Sequence, residues 1–188
     1  MDTKTIIATI QKTESPLKRQ LLTVALISNL LQQRGKEGPI VIGGCALSYY
    51  SREVYHTADI DLAYADREVL DVVLKEIDFI KEGRYWINET MKMVIEVPAS
   101  TLVGEDSSVE IVNFPEDLTC KIIGIEDLVI DRLNACKHWK SEIDCEMVEL
   151  LISKYFYEMD WIYIEKKASM PQNNTLDELI KLKNKFAK

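Results

Sequence analysis

Basic residues are in short supply. The 188-residue chain has 23 Lys and Arg against 31 Asp and Glu, a formal net charge of −8. Each phosphate contact along a duplex uses a Lys or Arg, so non-specific coating of duplex nucleic acid is excluded as a function. Glycine (7) and proline (5) are also scarce, which excludes a linker or a turn-rich all-β chain. There are two histidines, His56 and His138, and the four cysteines form no C-x-x-C pair, so no structural zinc site is expected. No apolar run reaches the roughly 18 residues of a membrane span. Met1-Asp2-Thr3-Lys4 does not lead into the apolar stretch of a secretion signal. These absences describe a reduced, cytoplasmic protein whose thiols (Cys45, Cys120, Cys136 and Cys145) are buried as small hydrophobes. With 47% hydrophobic and 29% charged residues, the length suits one domain, or a domain with a small appendage.

What is present is an alternation of helical and strand patterns. Residues 5–12 read as a short helix. Ser15-Pro16 marks the start of a longer one, with Leu17, Leu21, Val24, Ile27 and Leu31 at helical spacing and Gly35 as its stop. Residues 39–42 form an apolar strand ending in Gly43-Gly44, and one or two helical turns follow over 45–51. Ala58–Tyr64 alternates, with Asp59, Asp61 and Ala63 on one face and Ile60, Leu62 and Tyr64 on the other. A helix is predicted over 66–78, then strands over 84–88, 92–97, 109–113 and 119–123, with Pro98 ending the second and Gly104 breaking the loop after it. Helices follow over 125–139, 142–157, 160–169 and 175–186. The expected fold is α/β (α+β): a mixed sheet flanked by helices, with a helical C-terminal half. It divides into a core over 1–124 and a helical region over 125–188 packed on it.

Asp59-Ile60-Asp61 is the sharpest chemical signal. On a strand, i and i+2 share a face, so two like charges lie side by side and repel. A divalent cation between them removes that cost. Mg²⁺ takes oxygen ligands and is commonly held by one or two carboxylates plus substrate phosphates. An Asp-x-Asp alone is better explained by a solvated strand face. Gly43-Gly44 adds weight, because glycines let backbone N–H groups approach a phosphate at the start of a helix. Two neighbouring strands then deliver a phosphate cradle and a metal-binding pair to one sheet end.

Ile42-Gly43-Gly44-Cys45-Ala46-Leu47, Tyr50 and Thr57-Ala58-Asp59-Ile60-Asp61-Leu62 together resemble the DNA polymerase beta-like nucleotidyltransferase superfamily. The details look most like the small prokaryotic nucleotidyltransferases that include abortive-infection-type toxins. The resemblance implies that Asp59 and Asp61 hold Mg²⁺, with two ions expected, and that Gly43 and Gly44 bind the NTP phosphates. It also implies a third acidic residue that completes the metal site and helps deprotonate the acceptor. Glu96 and Glu110, each on an alternating strand, are the two candidates. Glu96 is favoured because the strand of Glu110 is expected to lie at the outside of the sheet.

Ile125–Leu133 resembles a later segment of the same enzymes. Arg132 shares a helical stripe with Leu128, Ala135 and Trp139. A charge there needs a partner, either a nucleotide phosphate or a buried carboxylate. Asp144 matches a position given a base-like role in the toxin-type relatives, but the simpler reading of it is a helix N-terminal acid. The implied reaction moves a nucleoside monophosphate from an NTP to a hydroxyl of a protein, a small molecule or a nucleic-acid end. The alternative is an inactive binding protein of the same fold in a toxin–antitoxin or regulatory complex.

Overall fold

The structure, a computed structural model, describes residues 2–102 and 107–187. Its first helices follow from their caps. Asp2 accepts the Thr5 N–H at 2.9 Å and opens α1, Thr3–Lys12. Ser15 Oγ accepts the Lys18 N–H at 3.1 Å and opens α2, Pro16–Gln32, with proline in its first turn. The chain then forms β1 (Ile40–Ile42), α3 (Gly43–Ser51), β2 (Asp59–Ala63), α4 (Arg67–Glu76), the hairpin β3 (Ile80–Glu82) and β4 (Tyr85–Asn88), and β5 (Met93–Ala99). It continues through β6 (Val109–Asn113) and β7 (Thr119–Ile123) into α5 (Ile125–His138), α6 (Glu142–Tyr155), α7 (Trp161–Ser169) and α8 (Leu176–Phe186).

The strands make one mixed sheet in the order β3-β4-β5-β2-β1-β7-β6. The β1–β7 and β2–β5 pairs are parallel, and the others are antiparallel. Register partners share a face of the sheet. Val41, Leu62 and Ile122 align across the middle strands and are fully buried, as are Ile60 and its partner Ile95. That face carries the core. It is continuous with Leu26 and Leu31 of α2, and with Leu128, Val129, Val148 and Leu151 of α5 and α6. The opposite face carries Asp59, Asp61 and Glu96. The fold is the α+β mixed sheet with flanking helices that the sequence predicts. No helix among the described residues is long and apolar enough to cross a membrane.

Several local expectations are corrected. Strand β5 passes through Pro98 to Ala99. The register slips between Asp61 and Ala63, so the proline lies in a bulge where its missing N–H breaks no ladder bond. Strand β3 went unread because all three of its residues are exposed, leaving no alternation to detect. Trp139 is 80% exposed, so it is not part of an apolar stripe with Arg132. Cys45 and Cys120 are buried free thiols, but Cys136 and Cys145 are joined in a disulfide, against the expectation of four reduced cysteines. The short connection between α5 and α6 brings their Cα atoms to 4.8 Å. Gly104 lies outside the described residues.

Ile60 anchors the strand that carries the acidic pair. Ile60→Ala should cost about 2–5 kcal/mol in urea unfolding. Val109→Ala, on the exposed edge strand, should cost no more than about 0.5 kcal/mol. Equal effects would show that β2 is not the packed centre of the sheet.

Candidate active site

The acidic pair is placed by the period of β2. Asp59 and Asp61 are each half-buried on the face opposite the core. Asp61 aligns with Ile42 of β1 on one side and with Glu96 of β5 on the other, and the row continues to Tyr85 of β4. Adjacent strands lie about 4.8 Å apart, so Glu96 is the lateral neighbour of Asp61. Glu110 stands on the edge strand β6, separated from β2 by β1 and β7. Its register partner Ile122 belongs to the buried row, so Glu110 faces the other side of the sheet. It helps line a cavity of about 530 Å³ with Tyr49, Tyr50, Arg52 and Tyr155. None of Asp59, Asp61 and Glu96 lines that cavity.

The Gly-Gly turn is built against the acidic pair. Gly43 has φ +58, and a Cβ there would lie 2.2 Å from Asp61 Oδ2. Only glycine allows this conformation and this approach together. The Gly44 N–H donates to Asp61 Oδ2 at 3.3 Å, and a Cβ on Gly44 would lie 3.1 Å from Thr57 Cβ. The Thr57 hydroxyl donates to Asp59. Gln20, buried on α2, donates to the Thr57 carbonyl at 3.0 Å and so ties this strand start to the helix behind it. Helix α3 receives no side-chain cap from Ile42. Its amino end, with its partial positive charge, therefore opens beside two carboxylates, a position suited to an anion.

The electrostatics mark the site as short of positive charge. Burial raises the Asp61 pKa above the ordinary aspartate range, and the Asp59 charge raises it further. The Gly44 N–H opposes this, Glu96 adds to it, and the Arg132 charge opposes it. The charge of Arg132 on α5 thus reaches Asp61. Its guanidinium is 2.9 Å from Asp144 and also bonds Asp131. Burial works against its charge, but Asp131 and Asp144 more than offset this and hold the guanidinium above its usual range. Its buried Nε–H has no hydrogen-bond partner among the described residues. Asp144 sits in the first turn of α6, where its backbone N–H donates to Ser141 Oγ at 3.3 Å. Arg132 and Asp144, separate candidates in the sequence, are therefore partners.

Glu96 turns to a cation too: its carboxylate lies 3.4 Å from Nε of Arg84 on the β3–β4 turn. Among the described residues, no three His, Cys, Asp or Glu side chains form a ready-made metal group. The donor set still fits Mg²⁺. Asp59 and Asp61 put two carboxylates on one face, an oxygen-only donor set of the kind that Mg²⁺ takes together with substrate phosphates. Gln20 and Arg84 were not singled out from the sequence. Gln20 carried a signal, as a polar residue among the apolar positions of α2. Arg84 carried only its place after Gly83.

Residues 19–187 match the sequence model of a family described as "Nucleotidyltransferase of unknown function (DUF6036)". The chain belongs to this nucleotidyltransferase family. No curated protein matches it. The matched span includes the Gly-Gly turn, the acidic pair, Glu96, Arg132 and Asp144.

Gly43→Ala and Asp61→Asn test this geometry, with Gly35→Ala as a control. Gly43→Ala should destabilise the protein by at least about 1 kcal/mol, since a left-handed φ strains alanine. Gly35→Ala, also at positive φ but with nothing within 4 Å, separates the cost of φ from that of the approach to Asp61. Equal losses in the two would show that the approach is not tight. The second variant uses the raised pKa of Asp61, which means that the folded state holds the Asp61 proton more tightly than the unfolded chain does. Stability then falls as pH rises from the ordinary aspartate range through the raised value, and stays lower above it. In metal-free buffer, Asp61→Asn should melt above wild type at pH 7, with the gap closing as pH falls toward about 4. A gap that widens on acidification would contradict the assignment.

Proposed function

We propose that this nucleotidyltransferase-family protein transfers a nucleoside monophosphate from an NTP to an acceptor hydroxyl, releasing pyrophosphate. The observation that carries the reading is the row of Asp61 and Glu96 on one sheet face, with Asp59 beside them and the Gly43–Gly44 backbone pressed against Asp61. Asp59 and Asp61 would hold Mg²⁺, as one ion or two, with Glu96 able to join them. When bound, Mg²⁺ supplies Lewis-acid polarisation of the reacting phosphate and neutralises charge on the leaving oxygens. The amino end of α3 binds the NTP phosphates through its backbone N–H groups. Glu96 draws the proton from the acceptor hydroxyl, whose oxygen attacks the α-phosphorus as the bond to pyrophosphate breaks. Arg132, whose Nε–H has no partner among the described residues and whose charge reaches Asp61, forms the opposite wall and is oriented by Asp144.

The Gly-Gly and Asp-x-Asp motifs support a finer placement in the DNA polymerase beta-like superfamily, near its abortive-infection-type members. The net charge of −8 supports a compact acceptor over a long nucleic-acid backbone. An NTP-consuming reaction also fits a cytoplasmic location, where NTPs are supplied. The test is incubation of the purified protein with each of four α-labelled NTPs, Mg²⁺ and cell extract. A discrete protein or small metabolite should become labelled, and Asp59→Asn or Asp61→Asn should lower the rate by roughly 100-fold or more. Folded protein that labels nothing with any NTP, or Asn variants as active as wild type, would refute the reading.

A further inference from the structure

Arg84 has no part in the nucleotidyl-transfer site described above, yet it reaches the acidic row. Arg84 projects from the tip of the β3–β4 hairpin, after Gly83 at φ +60. Its side chain is 70% exposed, yet its Nε lies 3.4 Å from Glu96 Oε1, while the Glu96 side chain is only 16% exposed. The guanidinium also stacks on the Tyr85 ring at 4.8 Å from its centroid and bonds the Tyr85 hydroxyl. Tyr85 aligns with Glu96, and Glu96 with Asp61, so this ring continues the acidic row and carries Arg84 at its end. The Tyr85 hydroxyl, then the Glu96 and Asp61 charges, hold the Arg84 guanidinium above its usual range.

We propose that the Arg84–Glu96 pair is an exchange contact: on loading of the site, Glu96 turns to the metal beside Asp61, and Arg84 turns to the polyphosphate of the incoming nucleotide. This rests on the nucleotidyl-transfer reading above and adds a specific polyphosphate-binding residue to it. Three features support the exchange. The Arg84 half of the pair is solvent-exposed and its contact with Glu96 is long, at 3.4 Å, so it opens readily. A planar guanidinium binds phosphate oxygens as well as it binds a carboxylate. Tyr85 holds the guanidinium over the acidic row whichever partner it has. With the pair closed, Arg84 also offsets the charge of Glu96 beside Asp61, so it steadies the acidic row and supplies a cation when polyphosphate arrives.

The two halves of the exchange move in opposite directions when Arg84 is removed. In Arg84→Ala, Mn²⁺ binding to nucleotide-free protein, read by electron paramagnetic resonance, should tighten about two- to fivefold, because the cation competing for Glu96 is gone. Binding of inorganic tripolyphosphate in the presence of Mg²⁺, read by calorimetry, should weaken roughly tenfold. Arg84→Lys, which keeps the charge but loses the planar fork, should lie between wild type and alanine in both measurements. Thermal melting of the variants checks that they remain folded. If wild type binds both probes and Arg84→Ala matches it, or loses affinity for both, the exchange is wrong while the nucleotidyl-transfer reading stands. If wild type binds neither probe, both are wrong.

Discussion

The approach of the Gly43–Gly44 backbone to the Asp61 carboxylate governs the site. It requires a residue without a side chain at Gly43, and it sets the start of α3 beside the acidic strand. The same contact brings a helix amino end and two carboxylates of β2 to one place. Neither feature is unusual alone. Together they suit a group that carries charge of both signs, as the proposed metal-bound nucleotide phosphate does. The sheet makes this possible by burying Ile60 and Leu62 on the face behind, so that the acidic face is held by the core.

Each carboxylate near this centre is otherwise accounted for by a modest contact. Asp59 accepts from Thr57, Asp61 from Gly44, and Glu96 faces Arg84. Burial and mutual repulsion leave Asp61 disfavoured as a charged group. Nearby charge that the protein does not neutralise is affinity available to a cation. On the C-terminal side, Arg132 is fixed by Asp144, and the Cys136–Cys145 disulfide joins the same two helices one turn further along α5. In the proposed reaction such restraint favours a phosphate contact by Arg132, because less side-chain freedom is lost on binding.

Much of this was legible in the sequence. The alternation over 58–64 placed Asp59 and Asp61 on one face, and the glycine pair after an apolar run marked the turn. The choice between Glu96 and Glu110 was not settled by pattern, since both occupy alternating strands of similar composition. It depends on strand order, a long-range property: β5 pairs directly with β2, while β6 lies beyond β1 and β7. Strand β3 escaped because full exposure erases periodicity, and Pro98 misled because a bulge absorbs its missing N–H. The disulfide escaped because nine residues separate its cysteines, and only the turn between α5 and α6 brings them together. The pairing of Arg132 with Asp144 likewise joins two helices whose packing no local signal specifies.

The central claim is that Asp59 and Asp61 hold the metal of a nucleotide whose phosphates rest on the Gly43–Gly44 turn. The most direct measurement is a crystal structure of the protein with Mn²⁺ and a non-hydrolysable NTP, using the anomalous signal to locate the ion. The account predicts a Mn²⁺ peak ligated by Asp59 and Asp61, with phosphate oxygens completing its shell and facing the N–H groups of Gly43 and Gly44. A nucleotide lodged instead in the cavity of Tyr49, Arg52 and Tyr155, with no ion between the two aspartates, would contradict it.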